Sequence, residues 1–163
     1  MNDIIFSVDK KDIPLIFSGK KTALIAKKRP KEISFPIRVL IYEKRGRLRN
    51  LKHIAYTEYE YDGRGTIVGE CVCDSIEQGD CYKMLEMSNR LRMTSKEICE
   101  YLMGGNGYAF KIRDAKPHDA EISLSDLGKN TPPQAWYFVE SKRRKTKNDT
   151  KRKIGLSLAT NRD

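Results

Sequence analysis

Every apolar run in this chain is short, and a turn residue or a charge closes each one. Ile4-Ile5-Phe6-Ser7-Val8, residues 22–26, 38–42, 66–73, 108–112 and 135–139 are β-branched, aromatic or alternating segments of strand length, separated by Gly, Pro, Asp and Lys. Residues 56–61, Tyr-Thr-Glu-Tyr-Glu-Tyr, alternate ring with acid or hydroxyl as a half-exposed strand does. The count comes to about seven strands, and the connections are too short for repeated βαβ crossovers. In the segment 66–73 the alternation places Ile67, Gly69, Cys71 and Cys73 on one face and Val68, Glu70 and Val72 on the other.

Two helices punctuate the strands. Residues 11–18 carry Pro14 in a first turn, with Asp9 available as a cap and Gly19 as the stop. Residues 94–103 begin at Thr94 with Glu97 three positions on, place Ile98, Tyr101 and Leu102 at helical spacing, and run into Gly104-Gly105. The predicted fold is α+β: a mostly antiparallel β-barrel over residues 1–140 with two or three short peripheral helices.

The 163 residues amount to one domain, and no apolar run approaches the ~20 residues that cross a bilayer. A start without a basic segment followed by an apolar one, and four cysteines in a chain large enough to hold a core without staples, point to a soluble cytoplasmic protein with reduced thiols. His53 and His118 show no zinc spacing to Cys71 and Cys73, and no Cys-x-x-Cys occurs, so neither a metal nor another cofactor is expected. With no glycine-rich phosphate loop opening a long helix, nucleotide hydrolysis is not expected.

Charge is distributed unevenly. Of the net +10, residues 141–163 hold nine basic against two acidic residues; this segment is expected to form a flexible basic tail, with Ile154, Leu156 and Leu158 its only candidates for docking. Residues 20–49 hold eleven Lys or Arg against Glu32 and Glu43, which leaves the rest of the body acidic. A polyanion can approach such a body from one side only. Lys20, Lys21, Thr22, Lys27, Lys28, Arg29 and Lys31 are the candidate phosphate contacts; plain solubility is the alternative use of such charges. Among the rings, Tyr56, Tyr59 and Tyr61 are candidate stacking platforms and Phe110, Trp136 and Phe138 candidate core, while Tyr108 after Gly105-Asn106-Gly107 suits either a cleft edge or the core. Glu70, the one acid in an apolar strand, suits a general base partnering Lys21 or a structural ion pair.

In their order, Gly19-Lys20-Lys21-Thr22, the basic stretch 27–31, Val68-Gly69-Glu70, Glu100-Tyr101-Leu102 leading into Gly107-Tyr108-Ala109-Phe110, and Pro132-Pro133-Gln134-Ala135-Trp136 resemble the ASCH family. The resemblance runs over roughly residues 3–140. It implies a PUA-like β-barrel that binds RNA in a cleft beside the Gly-x-Lys turn, of a kind found as stand-alone proteins in bacteria and their phages. Some members are amidohydrolases of acetylated cytidine and use a lysine with a threonine three residues later and a distant glutamate. Lys21 matches that lysine; Leu24 stands at the threonine position and offers no hydroxyl. Leu24 and Ala26 also replace the acid and the arginine of the family's Gly-x-Lys-x-x-Glu-x-Arg pattern. A non-enzymatic RNA-binding module is therefore the leading expectation. A small amidohydrolase or nuclease using Lys21 and Glu70, and a phage or host protein-interaction module, are the alternatives.

Overall fold

The computed structural model describes residues 2–47 and 61–140. The strand expected over 56–61 and the basic tail therefore lie outside the described residues, apart from Tyr61. Among the described residues the main sheet has six strands: β1 (Asn2–Val8), β2 (Ala23–Ala26), β3 (Ile37–Glu43) and, after the small ribbon of β4 (Gly46–Arg47) and β5 (Tyr61–Asp62), β6 (Ile67–Gly79), β7 (Gly107–Ile122) and β8 (Trp136–Glu140). Their spatial order is β2-β7-β6-β3-β1-β8, antiparallel throughout except for β1 beside β3. The chain between those two parallel strands is a single crossover. It holds a 3-10 turn (Lys10–Asp12), helix α1 (Ile13–Phe17) and β2.

The sheet curls without closing its hydrogen-bond ladder, so "barrel" describes its curvature and not its connectivity. Phe6 on β1 and Phe110 on β7 have ring centroids 5.2 Å apart although two strands separate them in the ladder. A flat sheet would put them about 14 Å apart at ~4.8 Å per strand spacing. Register shifts along β6, three against β7 and one where β3 meets it, supply the bend. Gly69 belongs to this device: a Cβ there would collide with the Phe17 ring and the Lys116 carbonyl oxygen.

The inner face gathers Ile4, Phe6, Leu24, Val39, Ile41, Cys71, Cys73 and Phe110, with Trp136 and Phe138 packed against them. The outer face carries Ile5, Leu40, Tyr42, Ile67 and Val139 under a second 3-10 turn (Leu124–Leu127). The irregularity between Ile67 and Gly69 corrects the alternation expected for this strand, because it sends Ile67 outward and Val68 into the inner core with Cys71 and Cys73.

A third apolar cluster lies where α2 (Cys81–Glu86), α3 (Ser88–Leu91) and α4 (Ser95–Leu102) cover the sheet end, packing Met84, Met87, Leu91, Ile98 and Leu102 on Ala23 and Ala109. Helix α4 starts as its sequence dictates: the Thr94 hydroxyl accepts from the Glu97 amide at 3.2 Å and the Glu97 carboxylate accepts from the Thr94 amide at 3.3 Å. No helix among the described residues is long and apolar enough to cross a membrane.

Candidate ligand-binding cleft

The turn after α1 places the most distinctive side chain of the molecule. The amides of Lys20 and Lys21 both donate to the Leu15 carbonyl at 2.9 Å, and Gly19 takes φ +76°, a left-handed conformation that costs glycine nothing. The chain reverses there and drives Lys21 inward until it is only 5% exposed. Its ammonium donates to the Leu91 carbonyl at the end of α3 and stands 4.0 Å from Asp12 Oδ2. Burial pulls the Lys21 pKa below the ordinary lysine value while the Asp12 charge pulls it back up. Burial likewise raises the Asp12 carboxyl above its usual range, against the attraction of Lys21. Each group is thus harder to ionise here than in water, the electrostatic pattern that functional sites share.

This pair lies along a cleft of about 140 Å³. Phe6, Val8 and Leu24 give it an apolar wall, while Asp9, Lys11, Lys44, Arg92 and Glu97 supply charge and Tyr101 a ring. Lys44 pairs with Asp9 at 3.7 Å and Lys11 with Glu97 at 3.6 Å. The backbone amide of Thr94 holds the Glu97 carboxyl below the usual range, so α4 presents this group as an anion. Lys27 Nζ sits 5.1 Å above the Tyr101 ring and ties the basic loop to the α4 side of the cleft. The same loop is held to β8 by the Trp136 indole N–H, which donates to the Lys28 carbonyl at 2.8 Å.

The residues singled out in the sequence do not converge on one point. Lys21 is in the cleft; Lys20, Lys27, Lys28, Arg29 and Lys31 are exposed and do not line it, and of these Lys27 reaches the cleft residue Tyr101. The Thr22 hydroxyl accepts from Arg90 Nε at 3.1 Å and faces a neighbouring groove with Ser18, Gly19 and Asp114, so it does not replace the missing hydroxyl at Leu24. Tyr108 packs half-buried against the inner core. Asp9 makes no side-chain cap bond. Glu70 is on the outer face, opposite Leu40, where its carboxylate meets His118 Nε2 at 3.2 Å and Arg38 Nη1 at 3.6 Å; Arg38 in turn holds Asp3 at 2.6 Å. The thickness of the sheet separates Glu70 from Lys21. Asp12, absent from the residues expected to form the site, is the acid that meets Lys21. Glu97, Tyr101, Lys44 and Arg92 also join the cleft, and Arg92 reaches it from a left-handed residue at φ 52° that ends α3. No grouping of three or more His, Cys, Asp or Glu able to hold a metal occurs among the described residues.

No family model matches the chain, and no curated protein matches it either. Solved structures do. The ASCH protein of Zymomonas mobilis superposes with a TM-score of 0.64 at 21% identity, covering 94% of each chain. A serine-to-alanine variant of that protein gives 0.63 at 22%, over 94% of this chain and 95% of the other. A tyrosine-to-phenylalanine variant gives 0.63 at 21%, over 94% and 97%. The chain has the ASCH fold, and its curled six-stranded sheet with a helical cap is that architecture.

Proposed function

We propose that this chain is an RNA-binding module of the ASCH type, which engages phosphates through the basic surface around the Lys21 turn and the 27–31 loop and one small group through the cleft. The observation that carries this reading is a desolvated lysine, Lys21, within a cleft also lined by Lys11, Lys44 and Arg92, with Lys27 of the exposed basic loop over the lining residue Tyr101. Exposed Lys and Arg neutralise backbone phosphates without needing fixed geometry. The cleft volume falls below the ~300–1,000 Å³ of pockets that enclose whole drug-sized ligands, which suits a base or an acyl group and leaves the rest of the polynucleotide outside. In this reading the segment 142–163 adds non-specific affinity through its nine cations.

Salt tests the proposal. Log affinity for single-stranded RNA is expected to fall linearly with log salt concentration for the full chain, and a chain ending at residue 141 is expected to keep binding with a shallower slope. A flat salt response removes phosphate contact altogether, and equal slopes remove the tail from the interface.

The Lys21–Asp12 pair favours a second reading, a hydrolase acting on a modified nucleoside or RNA. A buried lysine with a lowered pKa can take a proton from water near an acyl group, and Asp12 replaces Glu70 as its acidic partner. Turnover of acetylated cytidine by this route should rise with pH as Lys21 deprotonates, with a midpoint below the ordinary lysine value of 10.5. Because the Asp12 charge raises the Lys21 pKa, Asp12→Asn should move that midpoint further down. A pH–rate profile that ignores Asp12→Asn removes the Lys21–Asp12 pair from catalysis, and no turnover at any pH leaves binding as the sole activity.

A further inference from the structure

The four cysteines divide into two chemically different pairs. Cys71 and Cys73 lie on the inner sheet face, 1% and 0% exposed, and burial pushes both thiols up, Cys73 to about 11. Such thiols are inert. Cys81, the first residue of α2, and Cys99, within α4, are on the helical cap, where Cys99 is exposed and Cys81 half-buried. Their sulfurs approach to 2.9 Å across 18 residues of sequence.

Closing the gap to the ~2.05 Å of an S–S bond takes less than about 1 Å of movement. The two helices are already held together by Met84, Ile98 and Leu102, with Cys81 packed against that cluster, so packing sets the spacing of the helices that carry the thiols. A structural metal does not account for it, because such sites take four ligands and no third His, Cys, Asp or Glu completes a set among the described residues.

We propose that Cys81 and Cys99 form a redox-active dithiol site, which low-molecular-weight disulfides oxidise to an intramolecular bond clamping α2 to α4. The Cys99 thiol gives its proton to solvent and its sulfur attacks one sulfur of the disulfide RSSR. A Cys99–SR bond forms as the S–S bond of the reagent breaks, and RS⁻ leaves and takes up a proton. Cys81 then loses its proton and attacks the Cys99 sulfur, which forms the Cys81–Cys99 bond and expels the second RS⁻. Two protein thiols lose two electrons in total, and one RSSR becomes two RSH. The hydrogen bond with Cys99 raises the Cys81 pKa, in keeping with Cys81 as the second, resolving thiol. Since Glu97 and Tyr101 line the cleft from α4, the bond fixes one side of the cleft; the site itself does not depend on the function proposed above.

The full chain should be equilibrated under native conditions in glutathione buffers of graded reduced-to-oxidised ratio, alkylated, and mapped by non-reducing peptide mass spectrometry. One linked pair is expected, Cys81 with Cys99, about 2 Da lighter than its two free peptides combined. Cys71 and Cys73 should accept the alkylating reagent only after denaturation. Cys81→Ser should trap glutathione on Cys99. The oxidised chain should melt about 5 °C or more above the reduced one, because the bond constrains the unfolded chain, and Cys81→Ser should lose that redox dependence. No linked pair at the most oxidising ratio, a linked pair that forms only after denaturation, or an oxidised form that melts lower than the reduced one overturns the proposal.

Discussion

Lys21→Met is expected to weaken binding of single-stranded RNA about ten-fold or more, the equivalent of ~1.4 kcal/mol, while Lys44→Met costs about three-fold at most. Both lysines line the same cleft, so the contrast rests on environment. Lys21 is 5% exposed, and a charge removed from water acts on a ligand through a lower effective dielectric than a surface charge does. The Lys44 side chain is 42% exposed and already faces Asp9, a screened arrangement worth little to any ligand. Methionine keeps the stem volume of lysine, which limits repacking of the cleft wall. The substitution does strand the Leu91 carbonyl and the Asp12 carboxyl, so thermal melts of both variants must accompany the titrations. With Lys21 gone, the attraction that opposes the raised Asp12 pKa disappears and Asp12 protonates more readily, which softens the loss of stability. Anisotropy titrations of a labelled RNA at one salt concentration separate the cases. Equal losses for the two folded variants reduce the interface to an electrostatic surface and remove the cleft from recognition.

The parts of this molecule legible in its sequence are those governed by local rules. Thr94 with Glu97 three positions on, followed by apolar positions at helical spacing, specifies α4 almost to the residue. The apolar centres of the six main strands are legible for the same reason. What local rules miss is pairing that needs no buried face. The sequence places strand ends near Cys73 and Ile112 because polar residues follow, yet β6 continues to Gly79 and β7 to Ile122, each serving as the other's partner. Pro117 argues against a strand through its lack of an amide, and it is accommodated opposite Gly69 between two register shifts. Helices α2 and α3 escape notice because six and four residues are too few to display a 3.6-residue period, although Asp80 caps α2 by accepting from the Lys83 amide at 2.9 Å. The cleft divides along the same line. Gly19 and Lys21 are legible as a turn and its cation, but Asp12, Arg92, Glu97 and Tyr101 reach Lys21 only through tertiary packing. Alternation correctly separates Glu70 from Cys71; that the cleft opens on the Cys71 face is a property of the curl, which no single strand reveals.

That curl leads to the largest stability effect. Phe110→Ala is expected to destabilise the fold by about 3–5 kcal/mol, read as a lower urea midpoint with an unchanged slope. Phe110 is 0% exposed and touches the Phe6 ring edge-on at 5.2 Å and Trp136 at 6.2 Å, joining β7 to the two far strands of the sheet. Those strands are not ladder neighbours of β7, so side-chain contact closes the gap that the register shifts along β6 bring within reach. Phe138→Ala provides the control. Its ring also packs on Trp136, at 5.6 Å, but it is half-buried and sits beside β1 on an edge strand, so its loss leaves the bridge from β7 to β1 standing and costs less. For a domain whose whole stability is ~5–15 kcal/mol, the Phe110 variant loses a large fraction of it. A loss below about 1.5 kcal/mol would mean that the bulged backbone of β6 and β7 sets the curvature by itself. The distinction bears on function, because Phe6 lines the cleft and Leu24, another lining residue, pairs with Phe110 across β2 and β7. If the ring bridge sets the curl, a folded Phe110→Leu protein loses cleft shape and RNA affinity together; if the backbone sets it, affinity stays while stability falls.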